Sequence, residues 1–565
     1  MTDACPHSAW RTLTVTGALV TALAGLTRPA ALAAQHEGHA APQPATAAAR
    51  VGTVTFASSG APAARPSFLQ GVALLHNFQY AEAAAAFREA QQRDPDFAMA
   101  YWGEAMTYNH GIWREQDSVA ARAALARLGA TPAERLAKAP TAREQDYLRT
   151  LDVLYAGPGA KPARDTAYAA ATEQLAKRYP NDPDAQLFHA LALLSLVPRT
   201  DTTYERAAAI AERVLRDHPQ HPGALHYLIH AYDDPAHARR GLAAAQAYAK
   251  VAPDASHAQH MTSHIFIALG MWDDVVAANE VAVPDARKFG AGAPPACGHY
   301  GQWLQYAYMQ QGRLEDARRM TEACRAGSVD SPDLAFGFAQ MRLSYIVGLD
   351  DQTRDAASTR DVVALTTDRP GPATFESRIV QSVLDIGTAY HALRRGDTAT
   401  AQPLLQRIRE THTAIGASPM ARRMPEIVGA NQVLNDELGA LTLLRRGKSE
   451  EAVALLRQAA AREDALPFSF GPPAVDKPSH ELLGEVLLEL RRPAEARREF
   501  ELALARTPGR SLTLLGLARA SRAAGDSAAA AAAYRQLLTN WRRADPAFRT
   551  VGEARGAVAG GRLAP

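Results

Sequence analysis

Cysteine is scarce: three residues in a chain of 565, too few for a disulfide framework. Charge of one sign is also missing. Lys and Arg number 61 against 59 Asp and Glu, a formal net charge of +2, and no long basic run occurs. A chain so balanced lacks the electrostatic footprint of a protein that binds nucleic acid or an anionic membrane. Past the N-terminal region no apolar run reaches the roughly 20 residues needed to span a bilayer. Several catalytic signatures are absent: no phosphate-cradling Gly-rich loop, no HExxH, no Ser nucleophile elbow. Aromatics are modest at 7%, while alanine is abundant and favours helix.

The first 34 residues read as a secretory signal. Arg11 precedes an apolar run from Leu13 to Leu26, and the small residues Ala31, Ala33 and Ala34 suit signal peptidase. The expected location is therefore periplasmic or secreted, with no transmembrane segment after cleavage. Residues 35–63, rich in Ala, Pro and small polar residues, read as a flexible linker. His36 and His39 lie in it. Removal of the leader leaves Cys297 and Cys324, at the same end of one predicted helical hairpin. In an oxidising compartment they either pair or remain two buried thiols.

From residue 64 onward self-similarity dominates. The unit "GVALLHNFQYAEAAAAFREAQQRDPDFAMAYWG" carries Gly71, Tyr80, Ala83, Phe87, Ala90 and Pro95 in order. "HELLGEVLLELRRPAEARREFELALARTP" repeats the pattern with Gly484, Ala496, Phe500, Ala503 and Pro508. This ordering resembles the tetratricopeptide repeat, in which two antiparallel helices of about 34 residues lock through small and aromatic residues. The resemblance implies an all-α fold, an α-solenoid of about ten helical hairpins. An N-terminal array over 64–330 and a C-terminal one over 331–545 are expected, with a tail at 546–565; residues 114–185 fit the period poorly. More narrowly, "AMAYWGEAM", "HYLIHAYDDPAHA", "HMTSHIF" and "LPFSFGPP" with "KPSHELLGE" are similar to bacterial exported repeat proteins of poorly defined function. That likeness supplies no reaction.

Histidine carries the strongest chemical signal. His226 and His230 recur 34 residues later as His260 and His264. His257, His260 and His264 follow i, i+3, i+7 and so form one stripe on a helix. His299 falls at the start of the next first helix. The register places all six on the concave side, where imidazoles four residues apart and on neighbouring helices converge. Such a set suits zinc, copper or iron, with Asp233 and Asp234 placed to orient the rings. A polar groove lining copied by repeat duplication explains the same pattern without a metal.

His76 and His110, also 34 apart, fall on the groove side of the first two units, and a curving superhelix would bring them towards the other six. Trp102, Met106 and Tyr306 are further candidates for the groove. Glu481 and Glu485, at i, i+4, form a carboxylate pair there. His189 and His480 are expected to pack, and His218, His221 and His237 to lie on surface turns. Two functions follow. One is an exported scaffold holding a peptide, protein segment or small ligand in a His-rich concave groove. The other is a metal-dependent enzyme, oxidative or hydrolytic, with a poly-His site in that groove. The Lys and Asn pattern that clamps a peptide C-terminus is missing, which argues against chaperone-tail recognition.

Overall fold

In the computed structural model, residues 49–288, 296–328, 332–349, 374–422, 424–546, 548 and 550–559 are described. The expected signal segment, His36 and His39 lie outside them. Twenty-five α-helices and one pair of two-residue strands make up the described regular structure, with three 3₁₀ turns. The protein is an all-α superhelix.

The first helices are α1 (Arg65–His76), α2 (Tyr80–Arg93) and α3 (Ala98–Met106). A short hairpin, β1 (Asn109–His110) and β2 (Glu115–Gln116), precedes α4 (Ser118–Leu128), α5 (Pro132–Ala137), α6 (Ala142–Ala156) and α7 (Lys161–Arg178). This hairpin and the short α4 and α5 account for the poor periodicity of residues 114–185. Regular pairs follow: α8 (Pro183–Leu194) with α9 (Asp201–Asp217), α10 (Pro222–Ala231) with α11 (Ala238–Val251), α12 (Ser256–Ala268) with α13 (Trp272–Lys288), and α14 (His299–Gln310) with α15 (Leu314–Ser328). Beyond them lie α16 (Pro332–Leu349), α17 (Phe375–Arg394), α18 (Thr398–Gly416), α19 (Pro425–Arg445) and α20 (Ser449–Ala465). The array ends with α21 (Ser479–Glu489), α22 (Pro493–Arg506), α23 (Ser511–Ala523), α24 (Ser527–Asn540) and α25 (Thr550–Ala559). The last of these packs on α24 through Val551, Ala554 and Ala557, so the expected tail contains a docked helix.

Small residues let the helices approach. The Phe87 ring fills the space where a Cβ on Gly71 of α1, or on Gly103 of α3, would stand, 2.8 and 2.3 Å from its atoms. Phe500 does the same between Gly484 of α21 and Gly516 of α23. One aromatic thus locks three consecutive helices, and any side chain larger than hydrogen at those glycines would collide with it.

Residues 49–60 depart from the flexible linker expected there. They run as an extended strap across the ends of helices far apart in sequence. Arg50 pairs with Asp254, Asn77 donates to the Val51 carbonyl at 2.8 Å, and Thr53 N–H donates to Gln220 at 3.1 Å. Arg143 donates to the Ala57 carbonyl, and Ser59 binds the Glu144 carboxylate through both its N–H and its hydroxyl. Val51, Val54 and Phe56 are buried, and Phe56 packs on Phe68, Trp102 and Tyr147. Apolar residues at 51, 54 and 56 with backbone bonds satisfied on both sides explain the order.

The superhelix also closes on itself at its other end. Trp272 donates its indole N–H to the Gly509 carbonyl at 2.8 Å, and Arg510 donates to the Tyr306 hydroxyl at 2.9 Å. The turn after α22 therefore seats on α13 and α14, and the hydrophobic core is continuous across residue 330.

Candidate metal centre

Three successive first helices carry the six histidines. His226 and His230 lie on α10, His257, His260 and His264 on α12, and His299 opens α14. The 34-residue offset sets the rings side by side. They form two adjoining triads: His226 with His230 and His257, and His260 with His264 and His299; within each, one ligand atom per ring lies within 4.8 Å of the others. The His230 and His264 centroids are 6.0 Å apart, so the triads are neighbours.

The partners of the Nδ1 atoms fix the chemistry. His226 Nδ1 donates to the His76 carbonyl at 2.7 Å. His264 Nδ1 donates to Asp233 Oδ2 at 2.5 Å. His260 Nδ1 donates to Asn279 Oδ1 at 2.7 Å, and Asn279 is itself oriented by donating to the Val275 carbonyl. These oxygens accept and cannot donate, so each of the three rings carries its proton on Nδ1 and bares the lone pair on Nε2. The bare atoms of His260 and His264 face one another, and that of His226 faces His257, whose Nδ1 lies 3.2 Å from the Tyr300 hydroxyl, a group that both donates and accepts. His260 Nε2 lies 3.2 Å from His264 Nε2, and His226 Nε2 lies 3.3 Å from His257 Nε2. His230 Nε2 is buried with no partner, and so is Asp233 Oδ1.

Two facing lone pairs repel unless a cation sits between them. Tetrahedral zinc with Zn–N bonds of 2.0–2.1 Å requires its nitrogens to be about 3.3–3.4 Å apart. The observed separations are close to that spacing. Burial pushes His226 down to about 3, and burial followed by the neighbouring imidazoles pushes His230, His257 and His260 well below the ordinary histidine range. These four rings are thereby held neutral, which is the form a metal binds.

Aromatic residues close the site. Phe78, held at φ +56°, packs against His226, His230 and His257. Trp113 meets His257 edge-on, Trp303 contacts His260, His264 and His299, and Phe470 from the loop 466–473 reaches His264. His299 is half-buried and the other five rings are buried. The expected open groove is thus a covered chamber.

The remaining expected residues fall elsewhere. His76 is buried beside Asp184 and His221, next to the triads but outside them. His221 was expected on the surface; it precedes Pro222 at the start of α10 and is 1% exposed. Asp233 holds His264 as expected, whereas Asp234 pairs with His237 and Arg199. His110 stacks on Tyr80 at 4.0 Å and bonds the Thr107 carbonyl. Trp102 and Met106 are core residues: the first packs on Phe56, Tyr147 and Phe188, and the second receives the Tyr168 hydroxyl. Tyr306, Glu481 and Glu485 form no free binding surface. Glu481 is fully buried between Lys477 and Arg510, which outweigh burial and hold its carboxyl low; Glu485 pairs with Lys477 and Arg394. Arg394 and Arg510 come from α17 and from the turn before α23, beyond the reach of helical spacing, whereas Lys477 stands only four residues before Glu481, in the preceding loop. Cys297 and Cys324 form a disulfide just before His299.

The family model of the tetratricopeptide repeat matches residues 438–511 and 481–547. Residues 438–547 are thus a run of tetratricopeptide repeats (TPR). Among solved structures, this TPR chain is similar to the human IFIT1 dimer with m7Gppp-AAAA, at 12% identity over 87% of this chain and 92% of that one, with a TM-score of 0.32. It is also similar to the APC/C hetero-tetramer Cut9–Hcn1, at 11% identity over 75% and 98%, with a TM-score of 0.26. Scores this low carry no argument about ligands, and the capped RNA belongs to the first complex alone. No curated protein matches the chain.

Proposed function

We propose that this TPR protein is a metal-dependent enzyme of an oxidising compartment, its superhelix caging two transition-metal ions on His226, His230 and His257 and on His260, His264 and His299. Stacked TPR hairpins build binding surfaces; here the inner wall is turned into a covered chamber. The reading rests on the bare Nε2 atoms of His260 and His264, which face each other at 3.2 Å, with the bare Nε2 of His226 3.3 Å from His257 in the adjoining triad. Hydrogen bonds from the other ring nitrogen to a carboxylate, an amide and a backbone carbonyl are the outer support that metal-ligating histidines have. All-nitrogen ligation suits copper or zinc, with iron the third choice. Three protein ligands leave each four-coordinate ion one position for water or a small substrate, which is what a catalytic centre needs.

The disulfide and the signal-like leader support export. A peptide-binding groove is the weaker reading, because Phe78, Trp113 and Phe470 cover the histidines that would line it.

Elemental analysis of protein prepared without a His tag tests the proposal. His260→Ala and His264→Ala should each lower the metal content by at least one ion per chain while helicity is kept. Metal content equal to that of the parent in both variants would refute it.

A further inference from the structure

The group His76, Asp184 and His221 lies beside the triads but shares no ligand with them. We infer that it is a separate, closed site for one divalent first-row cation, which staples α1, α8 and α10 together. His76 ends α1, Asp184 sits in the first turn of α8, and His221 immediately precedes α10. All three side chains are 0–1% exposed. The donors are two imidazoles and one carboxylate, a set that holds divalent iron, zinc or manganese.

Hydrogen bonding leaves this group incomplete. His76 is satisfied on both sides, with Nε2 at 2.9 Å from Asp184 Oδ1 and Nδ1 at 2.8 Å from the Tyr227 hydroxyl. Asp184 Oδ2 and His221 Nδ1 have no hydrogen-bond partner, and His221 Nε2 has only a long contact of 3.5 Å to Asp184 Oδ1. A buried carboxylate oxygen and a buried imidazole nitrogen without partners are rare in a folded protein and call for an occupant. The occupant is positive, because the side chains next to Asp184 are two imidazoles and the Asp182 carboxylate, and the more distant Arg143 guanidinium is already engaged by Asp182. A buried anion needs a paired cation or a metal.

The spacing agrees. His76 Nε2 and His221 Nε2 stand 2.9 and 3.5 Å from the same Asp184 oxygen. Bonds of 2.0–2.1 Å at right or tetrahedral angles need donors about 2.8–3.4 Å apart. Gly223 makes the approach possible: a Cβ there would stand 2.4 Å from His76 Nδ1. With the cation in place, Nε2 of His76 binds through its lone pair and the ring proton sits on Nδ1, donated to the Tyr227 oxygen, the usual outer support of a ligating ring. No member of the group reaches solvent, and a closed site of this kind is structural. It also steadies them, since the His76 carbonyl holds His226.

The inference stands apart from the paired centre, and one experiment separates the two. Crystals of the full chain grown with zinc(II) are measured on both sides of the zinc absorption edge. An anomalous peak within bonding distance of Asp184 and His221 is expected. Absence of that peak overturns the inference, whatever is seen at the six histidines. A peak at Asp184 with none at the triads supports it and removes the paired centre instead. In solution, Asp184→Asn and His221→Gln should each lose one zinc per chain and retain the ions lost in His260→Ala. An unchanged zinc count in both variants overturns the site. Where a variant does not fold, the crystal measurement on the parent protein decides.

Discussion

Gly471 lies directly against Trp303. A Cβ on this glycine would stand 2.1 Å from the indole, and its φ of +85° is one that other residues adopt only under strain. The loop that carries Phe470 to His264 is therefore seated by the absence of a side chain. Gly471→Ala should lift it. A cost of about 1–3 kcal/mol is expected from the overpacking, together with faster loss of metal to a chelator. Thermal melts and the rate of chelator-driven metal release measure both.

Asp233 holds His264 in the tautomer that presents Nε2. Asp233→Asn keeps the shape and removes the charge. Metal affinity should fall about 10–100-fold, the usual effect of losing such outer support. Competition against a metal-binding dye reads it; undiminished affinity would show that the carboxylate plays no part.

The strap makes a quantitative claim on stability. Phe56 is buried against Phe68, Trp102 and Tyr147, with the Arg143 guanidinium 4.2 Å over its ring. Phe56→Ala should cost about 3–5 kcal/mol, the range for removing a buried aromatic side chain. A flexible linker would lose nothing. Denaturant unfolding distinguishes them.

The Cys297–Cys324 disulfide closes a loop with a sequence separation of 27 just before His299. Replacing both cysteines by serine should cost about 3–4 kcal/mol by the loop-entropy relation. Because His299 opens the next helix, the same variant should bind its metal less tightly in the His260 triad. Titration of the reduced and oxidised parent protein provides the control.

His480 gives a pH signature away from the chamber. Burial pushes it down, but hydrogen bonds to Glu499 at 2.6 Å and Asp464 at 3.1 Å outweigh burial and raise it above 6.5. A raised folded value means that the native state holds the proton more tightly than the unfolded chain. The stabilisation is therefore complete below pH 6.5 and is lost as pH rises through the folded value. His480→Gln should flatten that decline, as followed by melting temperature against pH from 6 to roughly 8. An unaltered slope would remove His480 as its source.

The repeat and the histidine register were legible because both are local. Periodicity along a helix shows which residues share a face, and the 34-residue offset shows which faces stand side by side; together they bring His226, His257, His260 and His264 together. Of the cover, the sequence offers only the aromatic and proline loop 466–473, readable either as a cap on the groove or as a brace before the last repeats. Phe78, Trp113 and Phe470 come from distant units, and their arrival depends on small rotations summed over many hairpins and on loop shapes without a period. His221 was misplaced for a related reason: a histidine before a proline looks like a surface turn until α1 and α8 close over it. Glu481 and Glu485 looked like a binding pair because Arg510 and Arg394 come from other elements; Lys477, four residues before Glu481, is the one partner that local spacing offered.

The strap changes what kind of object the array is. Repeat proteins whose units touch only their neighbours can gain or lose a unit and unravel from either end. Here residues 50–59 measure off a fixed length between Glu144, Gln220 and Asp254. Inserting or deleting one hairpin among these anchors would shift them out of reach. The N-terminal half therefore has a set size and comes apart as a single piece.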